Sequence, residues 1–354
     1  MDSSVAAALL KEEGYDLVGV TFHLWDAAGE NKVGRCCAPE DREDARRTCD
    51  ALGIPHYVLD ERAAFRAHVV DPFIATYRAG ATPSPCVHCN QHVKLARLAE
   101  VADELGAASI ATGHYARIAR DTDDGTAGIA GDASSAIRLL RGRDLDKDQS
   151  YFLYGVPTSI LARMIFPLGE LTKGRTREEG RRLGVPNWDK KDSQELCFVP
   201  DGDVGGFIQR ESDAGSAGGP IEDALGERVG QHDGYFRYTV GQRRGLGLGG
   251  GAPPRYVLAV IPERRAVVVG SEDQLYARDA RASSAHWTSG APVDAFEAEV
   301  QVRFRHRAAP ARVTPDGDGF RIDFVEPQRS IAPGQAAVVY RGDQVIGGGL
   351  LQSP

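Results

Sequence analysis

Asp2-Ser3-Ser4-Val5-Ala6-Ala7-Ala8-Leu9-Leu10-Lys11-Glu12-Glu13-Gly14-Tyr15-Asp16-Leu17-Val18-Gly19-Val20-Thr21-Phe22 carries two hydrophobic patterns in succession. The first part is rich in Ala and Leu, with Asp2 or Ser3 in front and Gly14 behind. That is a capped helix: a side-chain oxygen accepts from the orphaned N–H groups, and glycine closes the far end. From Tyr15 to Phe22 the apolar run is short and dense, as in a buried strand. A second helix is predicted over Pro39 to Leu52, stopping at Gly53. Glu40, Asp41, Glu43 and Asp44 lie near its start, where the helix dipole favours negative charge. Pro55 to Asp60 reads as a strand, Val93 to Leu105 as a helix, and Ala107 to Gly113 as a further strand. Helices alternating with short apolar strands predict an α/β domain with a doubly wound parallel sheet covered on both faces. Such sheets take ligands at the carboxyl ends of their strands. Asp-Ser-Ser at a helix start is suggestive of an anion site, although a bare cap is its commoner use.

The chain has 354 residues, enough for two or three domains with real cores. We place the boundaries by composition: a catalytic α/β domain over 1–203, a small connector over 204–275, and a C-terminal β-barrel over 276–354. In the connector, strands are expected around Arg255 to Val260 and Ala266 to Val269. In the last part, short alternating strands are separated by Pro-Asp-Gly-Asp-Gly and Arg-Gly-Asp turns. Asp121 to Ser135 reads as an acidic, Gly/Ala/Ser-rich surface insertion. No apolar run approaches the length of a membrane span, and no leader pattern is visible. Six cysteines in so long a chain are no disulfide framework, so the cytoplasm is the expected compartment. A net charge of −8 argues against loose, charge-driven binding to nucleic acid but leaves room for a local basic RNA site.

Two cysteines stand out. Cys89 lies in Pro85-Cys86-Val87-His88-Cys89-Asn90, between His88 and His92. Cys197 lies in Asp192-Ser193-Gln194-Glu195-Leu196-Cys197-Phe198, after Lys190-Lys191. Nearby cations favour the thiolate, which is the reactive form. Such a pair can carry sulfur and resolve a persulfide by forming a disulfide. Two unrelated, partly buried thiols would give the same spacing.

In order along the chain stand Asp2-Ser3-Ser4-Val5-Ala6-Ala7, Leu52-Gly53-Ile54-Pro55, Thr82-Pro83-Ser84-Pro85 before Cys89-Asn90, Ala111-Thr112-Gly113-His114-Tyr115-Ala116-Arg117, and Lys147-Asp148-Gln149-Ser150-Tyr151-Phe152-Leu153-Tyr154. Phe166-Pro167-Leu168-Gly169, Lys191-Asp192-Ser193-Gln194-Glu195 with Cys197-Phe198, Tyr238-Thr239-Val240-Gly241-Gln242-Arg243-Arg244-Gly245-Leu246-Gly247 and Pro333-Gly334-Gln335 follow. With this ordered set the chain resembles the tRNA-specific 2-thiouridylases, which put sulfur on the wobble uridine of certain tRNAs. The resemblance covers nearly the whole chain. It implies an N-terminal domain of the PP-loop, adenine-nucleotide α-hydrolase kind, whose loop reads Ser-Gly-Gly-x-Asp-Ser-Ser. Only Asp2-Ser3-Ser4 of that loop is present, and the expectation is that Ser-Gly-Gly and its preceding strand belong upstream of Met1.

The resemblance further implies ATP and Mg²⁺ as cofactors, with Asp2, Ser3, Ser4, Phe22 and Gly113 at the nucleotide. Cys197 would carry the persulfide. Cys89 would be the nucleophile that forms a transient disulfide with it. Ser84, Pro85 and Cys86 would touch the target base. His114, Lys147, Asp148, Gln149, Arg303, Phe304 and Gln335 would contact tRNA. The implied partners are tRNA and a sulfur-relay protein or cysteine desulfurase. One departure is Cys86, which stands where the family often has Asp. Cys86-x-x-Cys89 reads as a redox pair, as iron–sulfur ligands together with Cys197, or as half of a zinc site. Persulfide chemistry without metal ranks first and the cluster second. Cys36, Cys37 and Cys49 read as structural.

Local basic clusters supply the RNA side. Arg175, Arg177, Arg181 and Arg182 fall in one helix diluted by Glu178 and Glu179, the pattern of a solvated face. Gln242-Arg243-Arg244 opens a Gly-rich loop. Arg303, Arg305 and Arg307 alternate as on a strand, with Phe304 opposite. Two further readings remain at this point: another PP-loop ligase, which would need no thiol pair and no RNA-binding barrel, and a non-catalytic RNA-binding or sulfur-carrier protein.

Overall fold

The computed structural model describes residues 1–26, 39–120, 137–191, 196–199, 201–212, 218–249 and 253–353. Helix α1 (Asp2–Glu12) buries Val5, Ala6, Ala8 and Leu10, the first three in one cluster with Tyr115, Leu168 and Val185. Its cap differs from expectation. Met1 is the N-cap, no side chain caps the helix, and Asp2 is its first residue. The reason is competition: Lys173 Nζ lies 2.8 and 3.0 Å from the two Asp2 oxygens and draws the carboxylate away from the helix end. The far end is as expected. Gly14 is left-handed at φ +89°, and the N–H of Tyr15 reaches the carbonyl of Leu10 at 3.0 Å.

Strand β1 (Gly19–His23) starts later than the apolar run suggested and pairs in parallel with β2 (His56–Asp60), Gly19 facing His56 and His23 facing Asp60. Between them lies α2 (Pro39–Leu52), with the bounds expected. Two helices, each interrupted by a π-helical segment, follow. Helices α3 (Arg62–Phe65) and α4 (Asp71–Arg78) are joined by a π-helical turn, Arg66–Val70. Helices α5 (Pro85–Cys89) and α6 (Leu95–Glu104) are joined by another, Asn90–Lys94. Such wide turns concentrate at functional sites.

The strand expected over Ala107 to Gly113 is shorter. Only β3 (Ile110–Ala111) is formed. The antiparallel hairpin β4 (Ala116–Arg120) and β5 (Ile137–Arg141) follows, then α7 (Thr158–Leu161) and β6 (Met164–Ile165), which pairs in parallel with β3. Among the described residues the parallel pairing of the α/β half thus consists of two pairs, β1–β2 and β3–β6. Helices α8 (Lys173–Arg182) and α9 (Val204–Glu211) complete it.

Strands β7 (Gly219–Asp223), β8 (Arg228–His232), β9 (Tyr256–Ile261) and β10 (Ala266–Gly270) form a small sheet in the order β8-β7-β10-β9. The sequence pattern marks β9 and β10 but not β7 and β8, whose Gly, Pro and charged residues mask the alternation. Finally β11 (Tyr276–Trp287), β12 (Phe296–Gln301), β13 (Ala309–Asp316), β14 (Gly319–Arg329), β15 (Ala336–Arg341) and β16 (Gln344–Leu351) run β11-β14-β13-β12-β15-β16, and β16 pairs back onto β11. Closure removes the free sheet edges.

The barrel is not a separate bead. Its β16 also pairs with β5 at Gln344 and Leu140. One apolar core holds Val87, Leu95, Tyr151, Leu153 and Met164 together with Ala336, Val338, Tyr340 and Val345. That shared core sets the barrel against the loop leading into α5.

Candidate active site

The start of α1 and the exit of β3 touch. A Cβ placed on Gly113 would stand 2.5 Å from the Ser3 nitrogen and 2.6 Å from the Asp2 carbonyl carbon. Glycine is therefore required by close approach, at the carboxyl end of a parallel strand where such folds bind ligands. Asp2, Ser3, Ser4 and Gly113 are thus brought together. Around them, Tyr115 Oη lies 3.2 Å from Asp2 Oδ1 and 3.0 Å from Thr176 Oγ1. Thr48 Oγ1 donates to Ser4 Oγ at 3.3 Å. Lys190 Nζ bridges Asp41 and Asp44 at 2.5 Å each.

Phe22 is placed elsewhere, at the end of β1 against a second apolar cluster. That cluster is built from Leu24, Phe65, Val69, Phe73, Val93 and Phe198, and it contains Cys89, which is 6% exposed. Cys197 packs on it from its partly buried segment, so the two thiols share one apolar patch. Ser193, Gln194 and Glu195, with Asp192, lie outside the described residues, as do Cys36, Cys37 and the Asp121–Ser135 insertion.

Helix α5 carries Cys89 at its end and the exposed Cys86 one turn earlier. Pro85 occupies the first turn, where a missing N–H costs nothing. None of Cys49, Cys86, Cys89 and Cys197 is in a disulfide. Cys86 is exposed, Cys197 partly buried and Cys89 buried. Among the described residues no group of three or more His, Cys, Asp or Glu is arranged to hold a metal. Cys49 is buried at α2, and a Cβ on Gly19 would come within 2.5 Å of its sulfur. Burial pushes that thiol up, as for a structural cysteine.

In sequence, His88 and His92 are legible only as neighbours of Cys89. In the structure His92 stacks between His88, at 6.0 Å, and His68, at 5.8 Å. The two π-helical turns bring these rings together. The i, i+4 spacing of His88 and His92 is visible in the chain, but nothing local announces His68. Burial, with the neighbouring imidazole adding, holds both His88 and His92 below the ordinary histidine range.

Two of the segments expected to meet RNA lie side by side. Phe304 packs on Phe152 with ring centroids 4.4 Å apart, which sets the Arg303–Phe304 turn beside the Lys147–Gln149 segment. The basic stripe itself is corrected. Residues 302–308 form a turn rather than a strand, because Arg305 takes φ +62° and the His306 N–H closes on the Arg303 carbonyl at 3.0 Å. Arg303, Arg305 and Arg307 are nevertheless all exposed, with Phe304 and His306 turned partly inward.

Asp148 is placed inside, 7% exposed. Its Oδ1 accepts from the backbone N–H of Gly142 and of Ser150 at 3.0 Å each, and its Oδ2 accepts from Arg141 at 3.1 Å and Ser150 Oγ at 2.9 Å. Gln149 Oε1 accepts from the Tyr115 N–H at 3.0 Å. His114 Nδ1 lies 2.8 Å from Thr112 Oγ1, and burial, with Lys94 nearby, pushes its imidazole down to about 3. It is therefore neutral near pH 7 and can offer RNA a hydrogen bond but no charge. On α8, Arg175 and Arg182 are paired with Glu178, Glu179 and Glu12, the solvated-face arrangement.

Three family models match the chain in sequence: the tRNA methyl transferase HUP domain over residues 1–201, the tRNA methyl transferase PRC-barrel domain over 206–271 and the aminomethyltransferase beta-barrel domain over 277–351. Among curated relatives, proteins named tRNA-specific 2-thiouridylase MnmA are similar over full length. The one from Sorangium cellulosum is 48% identical, covering 100% of this chain and 90% of the relative. That from Chloroflexus aurantiacus is 45% identical over 100% and 96%, and that from Geobacter metallireducens 44% over 100% and 94%.

Proposed function

The chain belongs to the tRNA-specific 2-thiouridylase family, and from that premise we propose that it is a tRNA sulfurtransferase that thiolates C2 of the wobble uridine through an adenylated intermediate and a cysteine persulfide. Membership sets aside both other readings, a different PP-loop ligase and a non-catalytic carrier. The observation that carries the proposal is the common apolar patch under Cys89 and Cys197. The two thiols, 108 positions apart in a chain whose only shared local signal is a few basic neighbours, pack on the same apolar cluster, and the reading requires each to reach the other's sulfur.

The chemistry follows from the substrate. The C2 oxygen of uracil is a poor leaving group. Its attack on the α-phosphorus of ATP releases pyrophosphate and makes AMP the leaving group. The terminal sulfur of a Cys197 persulfide then attacks C2, and AMP departs. Attack of the Cys89 thiolate on the Cys197 sulfur breaks the persulfide bond, leaves sulfur on C2 and forms the Cys89–Cys197 disulfide. An external thiol supplies the two electrons that restore both cysteines, and a sulfur-relay protein or desulfurase reloads Cys197. An apolar surround suits this sequence, because it excludes the water that would hydrolyse the adenylate.

We place the phosphates at the start of α1, among Asp2, Ser3, Ser4 and Gly113, with Mg²⁺ arriving on the phosphate oxygens. Phe22, on the thiol cluster, is proposed to bound the space between nucleotide and target base. Ser84, Pro85 and Cys86 are proposed to meet the extruded base. Lys147 and the Arg303–Phe304 turn are proposed as tRNA contacts, with Asp148 acting from inside to shape that surface. No described helix is long and apolar enough to cross a membrane. Mass spectrometry of tRNA nucleosides after incubation with ATP and a sulfur donor tests the proposal. Absence of 2-thiouridine while tRNA still binds would refute it.

A further inference from the structure

The loop before the cysteine helix is poorly equipped to hold itself. In Thr82-Pro83-Ser84-Pro85 two of four residues lack an N–H, so the loop's carbonyls depend on donors from elsewhere. Those donors come from the barrel. The side-chain amide of Gln335 donates to the carbonyl oxygens of Thr82, at 3.1 Å, and Pro83, at 2.9 Å. The Thr82 N–H donates in return to the Pro333 carbonyl at 2.7 Å. Next along the barrel chain, the Ala336 carbonyl accepts from the Tyr151 hydroxyl at 2.8 Å. Gly334 fits under the loop only because it has no side chain: at φ +85°, a Cβ there would meet the Thr82 oxygen at 2.9 Å and Thr76 Cγ2 at 3.0 Å. Ser84 in turn starts α5, since its carbonyl accepts from the Val87 N–H at 3.1 Å.

We propose that Gln335 is a positioning residue: its two amide hydrogens hold the Thr82–Pro83 carbonyls and thereby fix where α5 presents Cys86 and Cys89. The role of those thiols rests on the function proposed above. The placement of α5 does not, and it can be measured without tRNA, ATP or sulfur. In this arrangement the barrel that docks RNA also sets the thiols, so substrate binding and sulfur transfer share one rigid connection.

The test is the rate at which dithiodipyridine reacts with Cys89 and Cys86, resolved by peptide mass spectrometry on the full chain. In the wild type, exposed Cys86 reacts first and buried Cys89 slowly. Gln335→Ala removes both donors, and the Cys89 rate is expected to rise about tenfold or more, the ratio of two hydrogen bonds of ordinary net strength. Gly334→Ala keeps the amide but pushes on the Thr82 oxygen, and a rise of the same kind is expected. Gln335→Glu sets a carboxylate against two carbonyl oxygens. Lowering the pH protonates it and restores one donor, so the Cys89 rate, taken relative to wild type at each pH, should return toward one. This series uses a single protein and remains decisive if the alanine variants melt early. With tRNA present, the variants should lose kcat and keep KM.

Cys89 reactivity within about twofold of wild type in these variants, together with a raised KM for tRNA and an unchanged kcat, would make Gln335 an RNA contact and overturn the proposal. The expected labelling change in a protein whose wild type adds no sulfur to tRNA would leave the positioning intact and sink the function instead.

Discussion

Arg141 lies face-on over Tyr340, its guanidinium carbon 3.4 Å from the ring centroid, so the β4–β5 hairpin and barrel strand β15 meet through a half-buried cation. The same guanidinium donates to Asp148 at 3.1 Å and to Gln301 Oε1 at 3.3 Å. Asp148→Ala would strand this charge and leave the Gly142 and Ser150 N–H groups without their acceptor. We expect a loss of about 3–5 kcal/mol, as for breaking one side of a buried pair. Asp148→Asn keeps an oxygen and should lose less. Urea unfolding of both variants gives the comparison, and equal stabilities with wild type would show that the network contributes nothing.

Gly113→Ala tests the contact between β3 and α1. The added methyl meets backbone of Asp2 and Ser3, which cannot swing aside as a long side chain can. Overpacking of this kind costs about 1–3 kcal/mol, so the melting temperature should fall. Nucleotide affinity should fall with it if, as proposed, the displaced N–H groups are those that meet phosphate. A variant that melts early yet binds ATP as wild type would move the phosphate site away from α1.

Cys197→Ser should abolish thiolation while tRNA affinity stays within a few fold, because the sulfur acts in chemistry and its segment is not among the proposed RNA contacts. Nucleoside mass spectrometry and a filter-binding titration on the same preparation report the two quantities. Retained thiolation would assign the persulfide to another cysteine.

Local pattern was legible where local forces decide. Helix α2 and the glycine end of α1 are where periodicity and stop residues put them. The N-cap was not legible, because the group that captures Asp2 is Lys173, 171 positions away. The arginine stripe reads as a strand by alternation. A single left-handed residue, Arg305, turns the chain there, and exposure keeps the alternation although the strand is absent. Asp148 is expected from the resemblance to contact tRNA, and only the fold shows two backbone N–H groups aimed at it. The pairing of β5 with β16 joins residues about two hundred positions apart and leaves no mark on either segment. The pairing of the thiols is an expectation from family resemblance, since no spacing rule links residues so far apart, and the fold adds that both pack on one apolar cluster.

The histidines predict a pH dependence of stability. Seven of the nine, His56, His88, His92, His114, His232, His286 and His306, are shifted down from 6.5, in each case chiefly by burial. Below about pH 6.5 the unfolded chain therefore binds more protons than the folded one, and stability falls as pH falls. Asp26 and Asp60, held low by hydrogen bonds from Arg62, lose their contribution only below about pH 4. The melting temperature should thus drop between about pH 7 and pH 5 from the histidines alone. His114→Gln should flatten that slope, and a flat wild-type profile over this range would contradict the buried, neutral state of these rings.

The exposed arginines of the 302–308 turn should bind RNA through charge. For every phosphate that a cation no longer neutralises, the slope of log affinity against log salt becomes shallower by about 0.7–0.9. Arg303→Ala with Arg305→Ala should therefore lower that slope by about 1–2 and weaken binding to cognate and non-cognate tRNA alike. Phe304→Ala is the control on mechanism. Phe304 carries no charge and packs on Phe152 and Tyr151, at 4.4 and 6.1 Å between centroids. Its removal should leave the salt slope nearly unchanged while lowering affinity through a loosened turn. The net charge of −8 makes the contrast sharp, because the protein's diffuse field repels RNA and cannot mask the removal of a local basic cluster. Filter binding across a salt series gives both numbers. A slope unchanged in the double arginine variant would place the RNA backbone on another face, with Arg243 and Arg244, both exposed at the head of the glycine-rich loop, next to be substituted.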